Sequence, residues 1–143
     1  MKFEIKKLSY DEVKNLLIAS ENDYEPVLSQ LIDIDACTRK WSEKAWFLLG
    51  KEVDDVVSVL VFYRNDTTRS LYIAHFSVSS RFRHSGVGHR TLEALIRECA
   101  TDYQYIDLEA EKNGIAHKFY IREGFSLKED KKNKVLLTKV LYE

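Results

Sequence analysis

Apolar and polar residues follow patterns that predict seven short strands along this chain. Strands are expected where β-branched and aromatic residues alternate with polar ones, or run together between turn residues. The predicted strands cover Phe3–Ser9, Ala45–Glu52, Val56–Asn65, Leu71–Val78, Tyr103–Ala110, Phe125–Asp130 and Lys134–Tyr142. Turns are expected near Val53–Asp55 and Lys132–Asn133, so two consecutive strand pairs read as hairpins.

Apolar residues spaced three or four apart predict four helices between these strands. The first is capped by Asp11 and runs to about Ala19, and the second spans about Pro26–Thr38. The third follows Gly88, and the fourth runs from about Asn113 to Arg122 and is stopped by Gly124. The second helix is expected to place Val27, Leu31, Ile34 and Cys37 on one face, and the third Leu92, Leu95, Ile96 and Cys99.

The element order βααβββαβαββ predicts a mixed sheet with helices on its faces, an α/β or α+β sandwich. The strand–helix–strand unit from Leu71 to Ala110 favours a parallel strand pair joined by a right-handed crossover. No repeat, linker or low-complexity stretch interrupts the chain, so residues 1–143 are expected to form one domain.

Composition narrows the class of protein. The 143 residues are 45% hydrophobic and 31% charged with a formal net charge of −1, which fits an ordinary globular domain and argues against nucleic acid as a partner. No apolar run approaches the ~18–20 residues of a membrane span. The start "MKFEIKKLSY" lacks a signal-peptide core, and two cysteines form no disulfide framework, so a cytoplasmic location is expected.

The charges are segregated along the chain. The stretch Thr67–Leu92 contains no acidic residue, whereas Glu21–Asp35 contains no Lys or Arg. Arginines in the first stretch are Arg69, Arg81, Arg83 and Arg90; acids in the second are Glu21, Asp23, Glu25, Asp33 and Asp35. One segment could bind an anion and the other a cation, or both are simply solvated faces.

Gly86 and Gly88 flank a single valine where the third helix begins. A helix start leaves about four N–H groups without partners, and glycine lets the main chain approach a ligand closely. With Arg83 adjacent, the loop predicts a phosphate site. It is not a P-loop, because His89 and Arg90 follow Gly88, and it lacks the third glycine of a dinucleotide-binding loop.

Two motifs resemble those of the GNAT acyl-CoA-dependent N-acetyltransferases. The segment Arg83-His84-Ser85-Gly86-Val87-Gly88 resembles the family's Arg/Gln-x-x-Gly-x-Gly/Ala signature. Asn113, Ala116, Phe119 and Tyr120, followed by Gly124-Phe125, resemble its "N-x-x-A-x-x-x-Y … G-F" segment. The resemblance implies a mixed, mostly antiparallel sheet of about seven strands with helices on both faces, and acetyl-CoA as cosubstrate.

The resemblance also implies roles for individual residues in holding coenzyme A. The main chain from Arg83 to Gly88, continuing to His89, would bind the pyrophosphate, and that of Phe76 and Val78 would pair with the pantetheine arm. Asn113 would bond the pantetheine or cap its helix. The cofactor-binding residues are then Phe76, Val78, Arg83, His84, Ser85, Gly86, Val87, Gly88, His89 and Asn113.

Catalytic roles follow from the same resemblance. Tyr120 stands where many members carry the general acid for the departing thiolate, and "LEAEKN" resembles the "L-E-V" strand that would make Glu109 the general base. Glu111, His75 and Tyr72 are reserve bases, because the interval from this strand to Asn113 is one residue shorter than the commoner pattern. Direct transfer is expected, since Cys99 falls on an apolar stripe; the histidines at 75, 84, 89 and 117 suggest no metal site.

The leading hypothesis is an N-acetyltransferase acting on a primary amine, with no nucleic acid or membrane partner, as a monomer or homodimer. The acidic Glu21–Asp35 segment suggests a cationic acceptor such as a polyamine, an aminoglycoside, an amino acid or a protein amine. Two alternatives stay open: a non-catalytic acyl-CoA-binding or regulatory module, and a structural domain whose loop binds nothing.

Overall fold

The computed structural model describes residues 1–23 and 27–142, which form seven strands and five α-helices. The strands are β1 (Lys2–Lys6), β2 (Trp46–Glu52), β3 (Asp55–Asn65), β4 (Ser70–Val78), β5 (Tyr105–Glu111), β6 (Ser126–Asp130) and β7 (Lys134–Val140). The helices are α1 (Tyr10–Ala19), α2 (Leu28–Leu31), α3 (Ile34–Lys44), α4 (Val87–Cys99) and α5 (Ile115–Arg122), with 3₁₀ turns at Glu21–Asp23 and Ser80–Phe82.

The strands form a mostly antiparallel sheet in the order β1-β2-β3-β4-β5-β7-β6, which confirms the predicted mixed fold. β4 and β5 are parallel, from Ser70 opposite Tyr105 to Ile73 opposite Leu108, as the strand–helix–strand unit predicted. No helix within the described ranges is long and apolar enough to cross a membrane.

The chain divides into two compact units, which are described separately. The first comprises Met1–Val61 and His75–Thr91, and the second comprises Phe62–Ala74 and Leu92–Glu143. Three elements, β3, β4 and α4, contribute residues to both.

In the first unit, β1 and β2 pair antiparallel, and the helices before β2 bury their apolar residues. α1 buries Val13 and Leu17, and α3 buries Thr38 and Trp41. The predicted cap of α1 is wrong: Ser9, not Asp11, is the N-cap. Its hydroxyl accepts the Glu12 N–H at 3.2 Å while the Glu12 carboxylate accepts the Ser9 N–H at 3.0 Å, a reciprocal capping box that Asp11 could not form.

The predicted single helix over Pro26–Thr38 is also wrong. The described part contains two helices, because Ile32 is extended and the Asp33 carboxylate accepts the Ala36 N–H at 3.0 Å to start α3. Leu31, expected on the buried face, is 51% exposed at the end of α2, while Leu28 is buried instead. Pro26 itself lies outside the described residues.

In the second unit, β5 alternates strictly, burying Ile106, Leu108 and Ala110 and turning Tyr105, Asp107, Glu109 and Glu111 to the other face. β5 pairs antiparallel with β7, and β7 with β6, which confirms the predicted closing hairpin. The predicted apolar face of α4 is confirmed for Leu92, Leu95 and Cys99, which are each at most 3% exposed.

Candidate functional site

The loop between β4 and α4 takes a shape that glycine permits. After the 3₁₀ turn at Ser80–Phe82, His84 has φ +62° and Gly86 has φ +83°, so two residues lie in the left-handed region. Such a φ is costly for a residue with a Cβ, which explains glycine at 86. The first hydrogen bond of α4 follows at once, since the Arg90 N–H donates to the Gly86 carbonyl at 3.1 Å.

The main-chain N–H groups of residues 84–88 donate to no acceptor among the described residues. They come in sequence at the start of a 13-residue helix, where the helix dipole adds partial positive charge. Val87 is 1% exposed and anchors the helix start, whereas His84, Ser85 and Gly86 are exposed. Five consecutive donors beside a buried anchor form an arrangement that can bind an anion.

Side chains of the loop tie it to its surroundings within the first unit. Arg83 donates through Nε to the Val78 carbonyl at 3.2 Å and through Nη2 to the Asp23 carbonyl. The Ser85 hydroxyl donates to the Phe82 carbonyl. These bonds direct two guanidinium nitrogens of Arg83 at carbonyls, so the main chain supplies the donors that remain for an anion.

The end of β4 carries the other candidates of the first unit. Phe76 and Val78 are half-buried. The His75 ring lies 5.3 Å from the Trp41 ring, and burial lowers the pKa of His75 to about 4. A histidine with this pKa is neutral at physiological pH and is a weak base, which counts against its reserve role.

Tyr120 lies in the second unit, on α5, and is 5% exposed. Its ring meets those of Phe119 and Phe125 edge-on, with centroids 5.1 Å away in each case. Burial raises the pKa of the phenol, and its hydroxyl bonds to no described residue. Tyr120 is therefore protonated at neutral pH, as a proton donor must be.

Asn113 does not cap α5, so that part of the expectation is wrong. The N-cap is Gly114, which makes no side-chain bond, and the Asn113 N–H donates to His117 Nδ1 at 2.9 Å. Asn113 has φ +64°, and its exposed side-chain amide bonds to no described residue. This geometry leaves Asn113 available for its other expected role, binding pantetheine.

Glu109 shares one face of the second unit's sheet with the reserve bases Tyr72 and Glu111. Its Oε1 lies 2.7 Å from Lys131 Nζ, and this hydrogen bond lowers the pKa of Glu109. Burial, followed by the charge of Glu109, raises the pKa of Tyr72. A carboxylate held by a lysine is a weaker base than an isolated one, so the contact with Lys131 makes Glu109 a weaker proton acceptor.

The acidic segment makes hydrogen bonds to neutral groups of the first unit. Glu21 accepts from Ser29, Asp23 accepts from the Ser80 hydroxyl at 2.8 Å, and Asp33 caps α3. These three carboxylates and Asp35 form no ion pair with any described residue, so their negative charges are not neutralised. Glu25 lies outside the described residues.

Neither cysteine resembles a nucleophile. Cys99 is 3% exposed and Cys37 is half-buried, and burial is the main cause that raises the pKa of each thiol. A raised pKa leaves little thiolate at neutral pH. Within residues 1–23 and 27–142, no group of three or more His, Cys, Asp or Glu side chains could hold a metal ion.

The comparisons with known proteins agree with this fold. No curated protein matches the sequence significantly. Solved structures that resemble it include PaiA N-acetyltransferase from Thermoplasma acidophilum in complex with coenzyme A, with TM-score 0.74, 13% identity and coverage of 98% of this chain and 99% of that chain. GCN5 of Tetrahymena has TM-score 0.78, 14% identity and coverage of 99% and 97%. The ribosomal-protein-S18-alanine N-acetyltransferase from Escherichia coli has TM-score 0.71, 13% identity and coverage of 99% and 96%.

The family model decides the assignment. The model of the acetyltransferase (GNAT) family matches residues 10–125, which include the loop that precedes α4 and the whole of α5. The chain therefore belongs to the acetyltransferase (GNAT) family.

Proposed function

We propose that this protein transfers an acetyl group from acetyl-CoA to a primary amine, and that the loop at residues 83–89 binds the pyrophosphate. The observation that carries the proposal is the run of N–H groups at residues 84–88 without an acceptor. Hydrogen bonds to charged groups contribute about 1.5–3 kcal/mol each. Three or four would supply roughly 5–10 kcal/mol, against the ~8 kcal/mol of a micromolar affinity. PaiA, solved with coenzyme A, supports the choice of ligand.

The pantetheine arm is proposed to pair with the main chain of Phe76 and Val78 and to receive the amide of Asn113. Arg83 has two nitrogens on carbonyls, so its part is to hold the loop in shape. The Val78 carbonyl has two lone pairs, so it can accept from Arg83 and from the ligand together.

In the proposed reaction the nitrogen of the neutral amine attacks the thioester carbon, the C–S bond breaks, and the thiolate takes a proton from Tyr120. The proton that the nitrogen loses as the amide forms returns to the Tyr120 phenolate. The nucleophile must lose a proton first, and for an amine of pKa ~10.4 this costs about 4–5 kcal/mol at neutral pH. Glu109 is the proposed acceptor of that proton, although its contact with Lys131 weakens it as a base. Glu111, Tyr72 and His75 remain in reserve.

A cationic acceptor is the second part of the proposal. Glu21, Asp23 and Asp33 are bonded to hydroxyl and N–H groups and not to a cationic side chain of the described residues. They would raise the local concentration of a cationic amine by long-range attraction. Reversing Asp33 and Asp35 should raise the KM of a cationic acceptor and leave acetyl-CoA binding unchanged.

The decisive experiment compares Tyr120→Phe with the wild type in thiol release from acetyl-CoA over a panel of amines. We expect kcat to fall about 10²-fold, with unchanged CoA affinity by calorimetry. Unfolding should be nearly unaffected, because the Tyr120 hydroxyl loses no hydrogen bond. Tyr103→Phe is the matched control: its hydroxyl donates to Asp66 at 2.5 Å, so stability should fall by about 1 kcal/mol without loss of turnover.

One observation favours a second candidate function, that of a non-catalytic acyl-CoA-binding module. Glu109 is paired and its pKa is lowered, which suits a binding protein better than a base. CoA binding without turnover on any amine would establish a non-catalytic acyl-CoA-binding module. Absence of CoA binding would remove both functions.

A further inference from the structure

A groove of about 880 Å³ lies in the second unit, apart from every residue assigned above except Tyr72. It is lined by Tyr63, Tyr72, Tyr105, Asp107, Lys128 and Thr138, among others, and is called the tyrosine groove below. The register explains how it forms, because Tyr72 and Thr138 both lie opposite Asp107 on the strands that flank β5. Residues opposite one another point to the same face, so the three side chains stand in a row.

Asp107 carries an oxygen that nothing in the described chain satisfies. Its Oδ1 is buried and has no hydrogen-bond partner there. Its Oδ2 lies 3.3 Å from Lys128 Nζ, and the side chain is 17% exposed. Buried carboxylate oxygens without a donor are rare because desolvation then goes uncompensated, so a donor that the described residues do not supply would stabilise this atom.

The walls of the groove restrict what that donor can be. Tyr72 is 37% exposed and Tyr105 is 36% exposed, so the groove presents phenol rings as well as the carboxylate. Aromatic faces attract cations, and a carboxylate oxygen accepts N–H bonds most strongly from a charged donor. Lys128 already places an ammonium on Oδ2, and because the lysine is 52% exposed it can return to solvent when another cation replaces it.

We propose that the tyrosine groove binds a small molecule through a protonated primary amine that displaces Lys128 to reach the Asp107 carboxylate, with the rings of Tyr72 and Tyr105 as walls. Lys128 competes with the ligand for the same carboxylate. The proposal does not depend on acetyl transfer, since it concerns binding without acetyl-CoA.

The test is a titration of the ¹⁵N-labelled full chain with n-butylammonium chloride at constant ionic strength, followed by amide chemical shifts. Shifts should saturate at amides of Tyr72, Tyr105, Asp107 and their neighbours. Tetramethylammonium, which has no N–H, and 1-butanol, which has no charge, should bind at least about tenfold more weakly.

Two variants should move the affinity in opposite directions. Asp107→Asn should weaken n-butylammonium binding at least about tenfold. Lys128→Met should strengthen it about threefold by removing the competitor. Asp130→Asn is the matched control, since Asp130 also pairs with a lysine, Lys112 at 2.7 Å, but lies outside the groove, so binding should not change.

Several outcomes would overturn the proposal. These are equal binding by wild type and Asp107→Asn, weaker binding by Lys128→Met, or equal affinity for tetramethylammonium. If Asp107→Asn fails to fold, the proposal is tested by Lys128→Met and by comparing n-butylammonium with tetramethylammonium and 1-butanol. A water molecule on Oδ1 in a crystal soaked with n-butylammonium would also count against it, because water would then be the donor.

Discussion

Helices α1 and α4 begin in opposite ways, although both starts lie in the first unit. At α1, Ser9 and Glu12 satisfy each other's N–H groups in a capping box. At α4, the N–H groups of residues 84–88 have no acceptor, main-chain or side-chain, among the described residues. The N–H groups at the first helix start are satisfied by side chains, whereas those at the second are the donors proposed to bind coenzyme A. The predictions below test this contrast.

The largest effect is expected from Gly86→Val. An L-residue at φ +83° costs about 1–2 kcal/mol, and a β-branched one more, so the loop should change shape and CoA should bind at least about tenfold more weakly. Apart from its chain neighbours, no described residue has an atom within 4 Å of the position where a Cβ would stand, so crowding would not explain the loss. Calorimetry measures the affinity. Gly86→Asn is the control, because asparagine tolerates this φ; an equally large loss there would contradict the torsional explanation.

Ser9→Ala, unlike Gly86→Val, should lower the stability of the protein without weakening CoA binding. Removing the cap of α1 should lower the free energy of unfolding by about 1 kcal/mol and leave CoA affinity unchanged. Urea denaturation and calorimetry on the same preparation measure the two quantities. A loss of CoA affinity would mean that the two helix starts are not independent.

A smaller effect is expected from a charge placed at the α4 loop. Ser85→Glu should weaken CoA binding about threefold, since the carboxylate competes with the phosphates for the same amides. Ser85→Gln loses the same bond to the Phe82 carbonyl without adding charge, and should bind nearly as the wild type does. The difference between the two variants should shrink at high salt, and a salt-independent difference would exclude an electrostatic cause.

The smallest expected effect is a pH dependence of stability that arises from Glu12 at the start of α1. The hydrogen bond from the Ser9 N–H lowers the pKa of Glu12, so the ionised carboxylate stabilises the fold above its unfolded pKa near 4.3. This contribution is lost as pH falls through the lower, folded pKa. The urea midpoint of the wild type should therefore approach that of Glu12→Gln between about pH 5 and pH 3. A constant gap would show that the Glu12 charge does not matter.

Local patterns predicted the strands better than the helix boundaries. The alternation in β5 and the stripe on α4 follow from periodicities of two and 3.6, which a short window contains. The break at Ile32 was missed because the apolar spacing continues through it. The Ser-x-x-Glu signature at Ser9 was present in the sequence and could have identified the cap of α1.

In the candidate site, too, the sequence predicted local features better than features that depend on residues distant in the chain. The glycines and the basic setting of the loop are local features, so the sequence identified the loop and predicted its anion chemistry. Glu109 was identified by resemblance, but its partner is 22 residues away along the chain, and the lowered pKa depends on that partner. Asp107 gave no signal, because its importance lies in a row formed by three strands.

By itself, the sequence determined the order of the strands, the glycine loop before α4 and the family resemblance, because torsional preferences and periodicity act over a few residues. Only the tertiary structure decided that Arg83 bonds to the Asp23 carbonyl, that Tyr120 is buried and protonated, and that Glu109 is held by Lys131. These properties depend on contacts between distant parts of the chain, where burial and charge set the chemistry of each group.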